Sequence, residues 1–103
     1  MKFISTRKKA RSVSLSEALE RGLAEDGGLY IPEKFPHFDS IPFKSWPEFA
    51  EKILSPFFEG DHLESFLGKA CKSAFSFPLP LKILNDSTAV LELFHGPTAA
   101  FKD

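Results

Sequence analysis

The chain has 103 residues, 43% of them apolar and 26% charged, which is the composition of a globular sequence at the length of one domain. Thirteen basic against fourteen acidic side chains leave a net charge of -1, so no global field draws the chain to nucleic acid or to an anionic membrane. A compact fold of this mass exposes roughly 5,800 Å², about a third of the extended surface, which allows one unit with a core but no large cofactor cleft.

Phe3-Ile4 reads as a short strand, and the basic stretch to Ser12 as a turn or exposed loop. Ser14 followed by Glu17 has capping-box spacing, and Leu15, Ala18, Leu19 and Leu23 share one helical face, which predicts a helix over 15–23. Asp26-Gly27-Gly28 is a turn signal, because glycine takes positive φ without a steric penalty, and Leu29-Tyr30-Ile31 suits a short buried strand ended by Pro32. Residues 32–44 carry Pro32, Pro36 and Pro42 among Phe35, Phe38, Ile41 and Phe43, the pattern of an extended segment with its aromatic side chains on the core.

Ser45 and Glu48 form a second capping box ahead of the strongest helical stripe, Trp46, Phe49, Ala50, Ile53, Leu54, Phe57 and Phe58. Pro56 removes a helical hydrogen bond and predicts a kink or an end near residues 55–58. After Gly60, Asp61 and Glu64 can cap a third helix over 62–75 with Leu63, Phe66, Leu67, Ala70, Cys71, Ala74 and Phe75 on one face, antiparallel to the second. Pro78 and Pro80 stop it, and residues 81–84 and 89–94 bracket Asn85-Asp86-Ser87 as a β-hairpin, its second strand buried. Gly96 and Pro97 then turn the chain and open a helix through Lys102. The fold class is therefore α/β: a small mixed domain of amphipathic helices and a β-hairpin.

The single cysteine, Cys71, forms no internal disulfide and points to a reducing compartment; it lies on an apolar helix face and reads as a packing residue. One thiol and three scattered histidines lack zinc-ligand spacing, so no metal site is expected, and His37 and His62 read as exposed. Gly27-Gly28 lacks the spacing of a phosphate loop. No apolar run approaches the roughly 20 residues that span a bilayer, and Phe3-Ile4 is too short for a secretory signal. The expectation is a cytoplasmic protein without membrane or nucleic-acid partners. The acid-free basic opening before Glu17 leaves an organelle transit peptide as the alternative.

Chemistry concentrates at the carboxyl end. A strand passing through Gly-Pro-Thr into a helix places Thr98 and Lys102 one turn apart at a strand's carboxyl end, where open α/β sheets hold ligands. A lysine amine attacks carbonyls once neutral, and burial or a cationic neighbour brings its pKa down from about 10.4. Spacing alone also fits an ordinary surface lysine.

The run from Leu91 to Asp103, Leu-Glu-Leu-Phe-His-Gly-Pro-Thr-Ala-Ala-Phe-Lys-Asp, closely resembles the segment of threonine synthases that carries the lysine bound to pyridoxal phosphate. Ile4-Ser5-Thr6-Arg7, the run Val13 to Leu19 and the run Gly22 to Pro32 resemble that family's amino terminus. The Lys8-Lys9 turn and Ala99, where a larger apolar residue is expected, depart from the pattern at tolerant positions.

The resemblance implies residues 1–103 as the amino-terminal domain of a fold-type II pyridoxal-phosphate lyase, ending just after the lysine motif. That enzyme converts O-phospho-L-homoserine and water into L-threonine and phosphate. It implies Lys102 as the Schiff-base residue and later the proton-moving base, Thr98 and Asp103 as positioning or cofactor-binding residues, and His95 as either that or structural. The remainder of the enzyme chain is then a partner, and the groups for the cofactor phosphate, the pyridine nitrogen and the substrate carboxylate lie beyond residue 103, leaving residues 1–103 inactive alone. Two alternatives stay open: another fold-type II lyase acting on a related phosphorylated amino acid, and a non-catalytic interaction module that retains the motif.

Overall fold

Side-chain caps set where the helices begin. In the computed structural model, which describes residues 1–103, Ser14 Oγ accepts a hydrogen bond from Glu17 N at 3.2 Å and opens α1 (Leu15–Arg21). Ser45 Oγ accepts from Glu48 N at 3.4 Å and opens α2 (Trp46–Phe58). The acid of each box does something other than close the loop back onto its cap. Glu17 pairs with Arg11 and with Arg21, whereas Glu48 Oε2 accepts from Lys44 N at 2.8 Å, one residue earlier than the capping box requires. Pro56 lies inside α2, which ends at Phe58, within the expected window.

The remaining elements are β1 (Phe3–Ser5), β2 (Tyr30–Pro32), a 3-10 turn (Glu64–Phe66), α3 (Leu67–Ala74), β3 (Leu81–Asn85) and β4 (Thr88–Leu91). They form two separate two-stranded antiparallel sheets. In the first, Phe3 faces Pro32, Ile4 faces Ile31 and Ser5 faces Tyr30. In the second, Leu81 faces Leu91, Lys82 faces Val90 and Ile83 faces Ala89, with an irregularity between Ile83 and Asn85. Asn85 Oδ1 accepts from Ser87 N at 3.0 Å, the side-chain bond that shapes this hairpin turn.

The turn before β2 is the tightest joint of the chain. Gly27 has φ +75°, and at Gly28 any Cβ would stand 2.2 Å from Ser5 Oγ. Ser5, only 1% exposed, donates to Asp26 Oδ1 at 2.6 Å. Asp26 also accepts from Lys9 N at 2.9 Å and Gly28 N at 3.0 Å, and these bonds, led by that from Ser5, hold its carboxyl below the usual range. A second carboxylate performs the same service between elements. Asp61 Oδ2 accepts from Ser16 N and Ser16 Oγ, both at 3.0 Å, while Oδ1 accepts from Leu63 N at 3.0 Å, which ties the start of α1 to the loop before α3.

Two apolar clusters result. Phe3, Val13, Leu15 and Ala18 form one. Ala50, Leu67 and Cys71 form the other, between α2 and α3, and Phe58 packs against both. Phe75, just past the end of α3, shares a hollow with Trp46 and Phe49 at the start of α2, as antiparallel helices require. Burial raises the pKa of the Cys71 thiol, consistent with a packing role. No helix is long and apolar enough to cross a membrane.

Several expectations fail, each for a physical reason. The fold is more open than a compact one of its mass: its accessible surface is 7609 Å² against roughly 5,800 Å², and its extents are 49 × 30 × 27 Å. The aromatic side chains of residues 32–44 do not reach a core. Phe35 is 75% exposed, and Phe43 alone among them finds aromatic partners, Trp46 at 5.5 Å and Phe49 at 4.7 Å between ring centroids. The strand at 29–31 is only half-buried: Tyr30 packs against the Phe3 cluster, while Leu29 and Ile31, on either side of it, are exposed on the opposite face of the ribbon. Helix α3 starts at Leu67 rather than near 62 because the preceding backbone takes i,i+3 bonds, Glu64 N to Asp61 O and Phe66 N to Leu63 O, both at 3.0 Å, in place of α-helical ones. The intervening 3-10 turn rotates Phe66 out of the stripe, leaving it 61% exposed. The hairpin's second strand ends at Leu91 and is exposed throughout.

Candidate active site around Lys102

The segment from Glu92 to Asp103 follows β4 and is held by two carboxylates. Glu92 N donates to Pro80 O at 3.0 Å, which carries the hairpin pairing one residue past its last strand pair. Glu92 Oε1 accepts from Lys82 Nζ at 2.9 Å and Oε2 from His95 Nε2 at 2.7 Å. The bonds from His95 and then Lys82 lower the Glu92 pKa, outweighing the opposing effect of burial.

Residues 96–103 then form a closed loop of turns rather than the expected helix. Ala99 N donates to Gly96 O at 3.0 Å, and Ala99 takes φ +52°, a left-handed conformation that a continuing helix excludes. Asp103 closes the loop: its Oδ1 accepts from Thr98 Oγ1 at 2.5 Å and its Oδ2 from Thr98 N at 3.0 Å. The Thr98 hydroxyl, before the amides, holds the Asp103 carboxyl below the ordinary range. Gly96 makes the closure possible, because a Cβ there would fall 2.4 Å from Asp103 Cβ. The left-handed Ala99 and the bonds from Thr98 to Asp103 hold these residues as successive turns.

Lys102 projects from this loop, exposed, while the ion pairs at this end of the chain belong to Lys82, Glu92 and His95. Thr98 and Asp103 are brought together, but on each other rather than around the Lys102 amine. No open α/β sheet flanks the loop, and the concavities of the chain lie elsewhere, on the surface of α2, between α2 and Leu79, between α1 and α2, and beside Phe66. His37 and His62 are exposed, as expected. The residue that sequence reading missed is Glu92. Its signal is a lone acid within an otherwise apolar strand pattern, three residues before a histidine.

The family described as threonine synthase N terminus matches residues 2–75. The chain is 39% identical to threonine synthase of Pseudomonas aeruginosa, covering 100% of this chain and 24% of that protein. It is also 39% identical to threonine synthase of Schizosaccharomyces pombe, over 98% of this chain and 22% of that one. The fold superposes on PLP-bound threonine synthase from Brucella melitensis with a TM-score of 0.89 at 39% identity, covering 99% of this chain and 24% of that chain. The chain thus spans about a quarter of the length of the relatives it matches. Capped helices, the Gly28 joint and the Lys102 loop lie within that shared fold, and the chain belongs to the threonine synthase amino-terminal family.

Proposed function

We propose that residues 1–103 are the amino-terminal domain of a cytoplasmic threonine synthase, in which O-phospho-L-homoserine and water become L-threonine and phosphate. The observation that carries this reading is Lys102: an exposed amine, free of ion pairs, on a loop pinned by Asp103, within a chain that matches threonine synthases over its length. Such an amine fits the aldehyde end of pyridoxal phosphate. The carboxylate of Asp103 is turned inward to Thr98, so nothing in this loop serves the cofactor's phosphate or pyridine nitrogen, and those groups belong to the rest of the enzyme.

In this reading the cofactor supplies an electron sink for substrate carbon chemistry. Lys102 Nζ would hold it, and as a free amine would accept and return protons at the substrate carbons. Thr98 and Asp103 position Lys102 by fixing the loop on both sides of it, and Gly96 admits the close packing that this needs. Residues 1–103 alone, with one anchor for the cofactor, neither bind it tightly nor turn over substrate.

Borohydride reduction of the full-length protein with pyridoxal phosphate, followed by peptide mapping, tests the assignment. The label is expected on Lys102, and Lys102→Ala removes both label and threonine formation. A label on Lys82, Lys69 or a lysine beyond residue 103 overturns it.

A further inference from the structure

Glu92 is buried, at 8% exposure, and it sits where burial is least expected: every residue of β3 and β4 is exposed. Burying a carboxylate is unfavourable unless it is paired and hydrogen-bonded, so its position calls for partners, and it has two. Lys82 Nζ lies 2.9 Å from Oε1 and balances the charge. His95 Nε2 lies 2.7 Å from Oε2, a geometry that requires the proton on Nε2 and leaves Nδ1 as the second ring nitrogen. The Phe94 ring lies against the same imidazole, with 4.7 Å between centroids.

His95 directly precedes Gly96, and Gly96 is the residue on which Asp103 packs. Fixing His95 therefore fixes one wall of the loop, and Asp103, the neighbour of Lys102, rests on that wall. We propose that Glu92 is a positioning residue for the lysine loop, acting through the His95 imidazole, with Lys82 as the counter-charge that keeps the carboxylate ionised. This inference rests on the assignment of Lys102 as the cofactor-bearing residue. Glu92 touches neither cofactor nor substrate; it determines how often the loop presents Lys102 in one place.

The test uses the full-length protein, stripped of cofactor and then mixed with pyridoxal phosphate. Samples quenched with borohydride at successive times are mapped for label on Lys102. Glu92→Gln keeps the side-chain shape but forfeits the charge-assisted bonds, and is expected to slow labelling about tenfold or more. His95→Gln is expected to slow it similarly, and the double variant no further than the slower single variant, because the two residues act as one unit. In parallel, the His95 nitrogen chemical shifts report Nε2–H in the native protein and a mixture of tautomers in Glu92→Gln.

A fall in the urea midpoint of Glu92→Gln with labelling at the native rate would show a merely structural ion pair and overturn the inference, as would effects of the two variants that multiply. Should Glu92→Gln fail to fold, labelling of His95→Gln at the native rate overturns it equally. A label found away from Lys102 in the native protein refutes the underlying assignment instead, so the two failures are distinct.

Discussion

Replacing Gly28 by alanine adds a methyl group where there is no space for it. Its carbon would stand 2.2 Å from Ser5 Oγ and 3.0 Å from both Asp26 Oδ1 and Thr6 Oγ1. The Ser5 hydroxyl cannot swing into water, because Ser5 is almost fully buried, and turning it away breaks its bond to Asp26 and the one it accepts from Arg7 N at 3.1 Å. Overpacking of this kind costs about 1–3 kcal/mol, and a buried hydroxyl stripped of partners costs about 1 kcal/mol more, so the expected loss is about 2–4 kcal/mol. With a urea slope of about 1–1.5 kcal/mol/M, the denaturation midpoint falls by about 2 M. The cause is isolated by repeating the substitution in a Ser5→Gly background, where the 2.2 Å clash is gone, only the 3.0 Å contacts with Asp26 Oδ1 and Thr6 Oγ1 remain, and the cost drops to about 1 kcal/mol. An equal cost in both backgrounds would refute the crowding argument, and so would an unchanged midpoint.

Leu67→Ala, in the cluster between α2 and α3, is expected to cost about 2–4 kcal/mol, whereas Phe66→Ala next to it stays within about 0.5 kcal/mol; urea midpoints compare the two directly. Asp26, Asp61, Glu92 and Asp103 all have carboxyl pKa values lowered by folding, so as pH falls the unfolded chain takes up protons first. Their contribution is complete above the ordinary carboxyl range near pH 4 and is lost as pH falls through the lower folded values, so midpoints measured from pH 6 to pH 2 should decline, less steeply in Asp61→Asn. The buried Cys71 thiol, its pKa raised, should resist iodoacetamide at neutral pH and react readily in urea; equal rates in both would place it at the surface.

What was legible in the sequence is what is local. Ser14, Ser45, Asp26-Gly27-Gly28 and Asn85-Asp86-Ser87 act on neighbours within a few residues, and each produces the element or turn its spacing implies. Lys102 was legible only through resemblance, because its flanking residues carry the pattern while its spacing from Thr98 implied a helix that does not form. The failures arise wherever a distant partner intervenes. Asp61 bonds Leu63 N through one oxygen, as local spacing allows, but gives the other to Ser16, 45 residues away, a partner that no local pattern announces. Apolar periodicity reports which residues avoid water without reporting what they meet, so Phe35, Phe66 and the hairpin leucines looked like core and are exposed.

The double contact of Phe58 has a consequence for how the chain opens. One ring closes the α1 side of the molecule and the α2–α3 side, while the hairpin buries none of its strand residues. Amide hydrogen exchange should therefore divide the molecule into three tiers: hairpin amides exchanging fastest, and the first sheet with α1 and the α2–α3 pair each protected as a block. Truncating Phe58 to alanine should uncouple those two blocks, so that protection in one no longer follows denaturant-induced loss in the other, and a single sigmoidal unfolding transition becomes two.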